Sequence, residues 1–98
     1  METLTEIEYK ILYIIKDADK QITPKHFEKM VKVVEESGAK GESIIKDILF
    51  DNLFSLQDKG YILSSSQPED GLNSHRTKIH EYLYNIRITK EGTKFLST

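Results

Sequence analysis

With 98 residues, 38% of them hydrophobic and 31% charged, the chain has room for one small core and no second domain. It contains no cysteine, which excludes disulfides, thiolate metal sites, iron–sulfur clusters and cysteine nucleophiles. The formal charge of −2 argues against indiscriminate polyanion binding, although phosphate contact needs a basic face and not a basic protein.

The opening residues METLTEIEYK carry acids where a secretory leader would be basic, so no leader is expected and the expected setting is the cytoplasm. No apolar run approaches the roughly 18–20 residues that span a bilayer. Thr5 and Glu8 have capping-box spacing, and Leu4 and Tyr9 stand where a hydrophobic staple would clamp the chain. Ile7, Ile11, Leu12, Ile14 and Ile15 follow at helical spacing, which predicts a first helix through about Asp17.

Ile22 reads as a very short strand. Thr23-Pro24 is a second helix start, with threonine as cap and proline where its missing N–H costs nothing. Phe27, Met30, Val31 and Val34 form the stripe expected to be buried, opposite Lys25, Lys29 and Lys32, and Gly38 is the expected stop. A third helix is predicted from Ser43 to Lys59, ending at Gly60. Ile44, Ile45, Ile48, Leu49, Leu53 and Leu56 make its wide apolar face. Phe50 and Phe54 fall outside that face, on the side of Ser43, Lys46 and Asp47.

After Gly60 a strand is predicted. Gln67 to Ser74 reads as a loop, and Glu81 to Ile88 alternates as a second strand antiparallel to the first. Thr89 then caps a short terminal helix with Phe95 and Leu96. The expected core joins Ile11, Ile14, Ile15, Phe27, Val31, Val34, Ile45, Leu49, Leu53, Leu56, Ile62, Ile86 and Ile88.

Two stretches carry a resemblance. LFSLQDKGYI, residues 53–62, looks like the end of a third helix running into a first wing strand. NIRITKEGTKFL, residues 85–96, looks like the return strand followed by Thr-x-x-Gly and a last helix. In this order they resemble the YjcQ-like family of small bacterial and phage proteins, and more loosely the MarR-like and PadR-like regulators. The resemblance implies an α+β winged helix-turn-helix: three helices, a two-stranded wing and a short C-terminal helix. Its wing tip would lie somewhere between Gln67 and His80.

Such a fold implies double-stranded DNA as partner, as in a small transcriptional regulator or accessory factor. Its third helix would put N-terminal residues in the major groove, here Lys40, Ser43 and Lys46. The alternative is an ordinary solvated helix face, which Glu42 and Asp47 favour. A wing would use Arg76 and Lys78 on the backbone or minor groove, within a stretch from His75 to Lys90 whose only acid is Glu81. The alternative there is a loop offsetting Glu69 and Asp70.

Phe50 and Phe54 belong either to the core or to a homodimer seam. With Tyr82 and Tyr84 they are also candidate contacts for another protein, the competing function. His75 and His80 fit no standard metal spacing, so neither metal nor cofactor is expected. Glu69 and Asp70 lack an oriented partner, and no phosphate-cradling glycine loop or nucleophile elbow is present, so no catalytic residue is expected.

Overall fold

The computed structural model describes residues 3–18, 21–65 and 81–97. Three helices come first: α1 (Glu6–Ala18), α2 (Pro24–Glu36) and α3 (Glu42–Asp58). Strand β1 (Ile62–Ser64) pairs antiparallel with β2 (Ile86–Ile88), and α4 (Lys90–Leu96) closes the described chain. The fold class is α+β. Among the described residues no helix is long and apolar enough to cross a membrane.

The capping signals act as their spacing suggests. At the start of α1 the Thr5 N–H donates to Glu8 Oε1 at 3.0 Å, and the Glu8 N–H donates to Thr5 Oγ1 at 3.2 Å. Tyr9, expected to be clamped as part of a staple, keeps 43% of its surface exposed. At α2 the third residue, His26, takes the reciprocal role, accepting the Thr23 N–H on Nδ1 at 2.9 Å. Ile22 is buried but belongs to no strand.

Ile11, Leu12 and Ile15 of α1 meet Met30 and Val34 of α2 and Leu49, Phe50, Leu53 and Leu56 of α3. Ile62, Tyr82, Leu83 and Ile86 close this core from the ladder side. The ladder register sets Ile62 opposite Ile88, Leu63 opposite Arg87 and Ser64 opposite Ile86. Ile62, Ser64 and Ile86 face inward, while Leu63 and Arg87 face solvent.

Two expectations are corrected. The strand predicted over residues 81–88 begins only at Ile86, because residues 81–84 are helical. Tyr82 and Leu83 are neighbours and both buried, which a half-buried strand would forbid; one helical turn allows it, and it brings Tyr82 and Ile86 to one side. Asn85 closes that turn, its backbone N–H and side-chain Nδ2 both donating to the Glu81 carbonyl. Ile44, assigned to the apolar face of α3, is 56% exposed.

The two stretches that carried the resemblance lock together. Thr89 Oγ1 donates to the Gly60 carbonyl at 2.6 Å and accepts the Gly92 N–H at 3.1 Å, while the Thr89 N–H donates to the Tyr61 carbonyl at 3.0 Å. Gly92 lies so close to that carbonyl that a Cβ at its position would collide with the Tyr61 oxygen and with Ile88 Cγ1.

Candidate nucleic-acid interface

The turn between α2 and α3 is built by its small residues. Ser37 Oγ donates to the Val34 carbonyl at 2.6 Å, and the Gly38 N–H donates to the Glu35 carbonyl at 3.0 Å, closing α2. Gly41 holds φ at 97°, in a region that disfavours other residues, and its carbonyl accepts the Ile45 N–H as α3 begins. Lys40 is thereby held exposed just ahead of the helix, with Ala39 tucked against the core.

The first turns of α3 are open to solvent. Ser43 and Lys46 are exposed, as Lys40 is, so three expected contact residues lie at one end of one helix. The charge there is mixed. Lys46 Nζ stands 3.3 Å from Glu42 Oε1, an exposed i,i+4 pair of small energetic weight. Ser43, Asp47 and Asp51 follow one another at four-residue spacing, all exposed. Lys40 and Lys46 are thus balanced by Glu42 and Asp47, and attraction to phosphate has to come from elsewhere.

Arg87 is the described cation of the return strand, exposed on the outer face of the ladder beside Leu63. Arg76 and Lys78, the expected wing contacts, lie outside the described residues, as do His75, His80, Glu69 and Asp70. Among the described residues no group of three or more histidines and carboxylates is placed to hold a metal ion.

The aromatic candidates sit in the core instead of at a seam. Phe50 and Tyr82 are buried, and Phe54 and Tyr84 are partly buried against the same cluster. The Phe54 ring lies 5.2 Å from that of Tyr82 and 6.3 Å from that of Phe50, and the Tyr82 hydroxyl donates to Gln57 Oε1 at 2.9 Å. Burial, with Asp58 adding negative charge, pushes the Tyr82 phenol far above its ordinary range. A partner would find little of Phe50 or Tyr82 to touch.

Two features of this region were not read from the sequence. One is Ile44, exposed between Ser43 and Ile45. The other is a groove of about 570 Å³ between α2 and α3, floored by Phe27, Val31 and Ile45 and rimmed by Glu28, Lys32, Glu35, Glu42 and Lys46. The helical repeat marks both as apolar positions without saying how far α2 and α3 diverge. Compared with models of known protein families, with curated proteins and with solved structures, the chain matches none.

Proposed function

We propose that the chain is a winged-helix DNA-binding protein of the YjcQ-like kind, acting in the cytoplasm as a small regulator or accessory factor. In this reading α2 and α3 are the helix-turn-helix, and β1 and β2 are the base of a wing whose tip lies in the intervening segment. The observation that carries it is the open N-terminal end of α3, with Lys40, Ser43 and Lys46 exposed, on a three-helix core followed by an antiparallel ladder. A helix presented end-on in this way fits the major groove, which is about 12 Å wide.

The near-neutral start of α3 divides the labour. Arg76, Lys78 and Arg87 supply the attraction to phosphate, and α3 supplies position and any choice among bases. Asp47 opposes close approach and keeps non-specific affinity low.

Anisotropy titration of a pooled random duplex tests the reading. If Arg76, Lys78 and Arg87 each neutralise a phosphate, affinity falls with salt at a log–log slope of roughly −3 per protomer, since each contact contributes about −0.9. Replacing Arg76 and Lys78 together with alanine flattens that slope by about two and weakens all sequences alike. Asp47→Asn strengthens binding by relieving repulsion. No binding at low salt, with Asp47→Asn without effect, rejects the reading.

A second reading, a protein-interaction module, is favoured by one observation. The groove between α2 and α3 has an apolar floor of Phe27, Val31 and Ile45, which suits a partner's apolar side chain better than a phosphate.

A further inference from the structure

The outward face of α1 carries aromatic surface that the core does not use. Ile11, Leu12 and Ile15 fill the core from its inner side, yet Tyr9 and Tyr13 remain 43% and 44% exposed on its outer side. They do not stand alone. The Tyr9 ring lies 6.1 Å from Tyr13 and 6.4 Å from Phe95 of α4, and Phe95 lies 5.0 Å from Tyr61. Four rings from α1, α4 and the turn before β1 therefore form one continuous row. Tyrosine joins a large apolar body to a polar tip, and that chemistry is enriched where a surface is alternately wet and covered.

We propose that this face pairs two copies of the chain, with their α1 helices antiparallel about a two-fold axis passing between Tyr9 and Tyr13. The distribution of charge selects both the occupant and the direction. Glu6 stands exposed at the start of α1 and Lys16 in its last turn, with the two tyrosines between them. Antiparallel pairing brings the Glu6 end of each helix to the Lys16 end of the other and sets the two helix dipoles side by side and opposed. Parallel pairing would instead stack like charges at both ends.

The local contacts do not compete strongly. Glu6 pairs with Lys10, 3.2 Å away in an exposed i,i+4 pair of small weight, and Lys16 Nζ lies 5.5 Å from the Tyr13 ring centre. A helix of 13 residues is only about 20 Å long, so the contact is small and the association weak, in the micromolar range. The inference is independent of any role in DNA binding. It also replaces the Phe50–Phe54 seam, because those rings face the chain's own core.

Analytical ultracentrifugation of the full chain from about 5 to 500 µM tests it, a span that brackets the expected dissociation constant. The expected result is a reversible monomer–dimer equilibrium whose Kd rises at least tenfold in Tyr13→Glu and stays unchanged in Leu63→Glu, on the outer face of the ladder. Should Tyr13→Glu fail to fold, the absence of native cysteine allows a second measurement with Tyr9→Cys and Tyr13→Cys proteins. An equimolar mixture should form the mixed disulfide faster than either protein forms its own. A chain monomeric throughout, a dimer indifferent to Tyr13→Glu, or equal cross-linking in all three samples would overturn the proposal.

Discussion

Glu8 shows how much a single buried carboxylate can join. It is only 3% exposed, yet Lys59 Nζ donates to its two oxygens at 3.1 and 2.9 Å, Ser55 Oγ donates at 2.7 Å, and the Thr5 N–H completes the set. Burial by itself would raise its pKa. The Lys59 hydrogen bond and charge, with the bonds from Thr5 and Ser55, outweigh that and hold it at about 2. Because the folded pKa lies below the ordinary value of 4.5, the stabilisation is complete above that pH and is lost as pH falls toward 2. A shift of this size corresponds to about 3 kcal/mol at neutral pH. Glu8→Gln should therefore be markedly less stable than the parent at pH 7, with the gap narrowing by pH 3 in denaturant titrations. A gap independent of pH would contradict the account. The capping half of this arrangement was legible, since Thr5 and Glu8 are three residues apart. The ties to Ser55 and Lys59 were not, because they lie 47 and 51 residues away and appear only once α3 packs on α1.

Element ends were legible where one residue dictates the backbone, and illegible where two periods coincide. Thr89 was read as the cap of a terminal helix, and it is. Its hydroxyl also reaches Gly60, so the cap fastens α4 to the end of α3. Gly92 is held to glycine by close approach to the Tyr61 carbonyl. Gly92→Ala should consequently destabilise the fold by about 2–3 kcal/mol, the range of an overpacked core position, although alanine is the better helix former. Thermal unfolding checks this, and an unchanged or raised Tm would show that the clasp does not bind α4 down. Residues 81–88 failed for the opposite reason. Tyr82, Tyr84, Ile86 and Ile88 alternate as a strand would, but Tyr82 and Ile86 are also one helical turn apart. Three-dimensional packing chose helix as far as Tyr84 and strand from Ile86.

At the scale of the whole molecule, three helices, a ladder and a closing helix were legible because apolar spacing and turn residues agree along most of the chain. The surface was harder to read. A helix apolar on more than one side does not reveal which apolar residue its neighbours leave uncovered. Ile44 was therefore placed on the apolar face of α3 and Phe50 left between core and seam; in the structure Ile44 is exposed and Phe50 is buried. Tyr9 and Tyr13 fit the helical repeat without standing out from it.

The DNA reading makes a spatial claim: the open start of α3 and the wing approach a duplex together. Amide chemical-shift mapping of the labelled chain against a mixed duplex pool at low salt tests that claim directly. The account predicts perturbations gathered at residues 40–47 and in the segment around residues 75–87, fading as salt is raised. Shifts absent altogether, or confined to Tyr9, Tyr13 and the α4 surface, would contradict it.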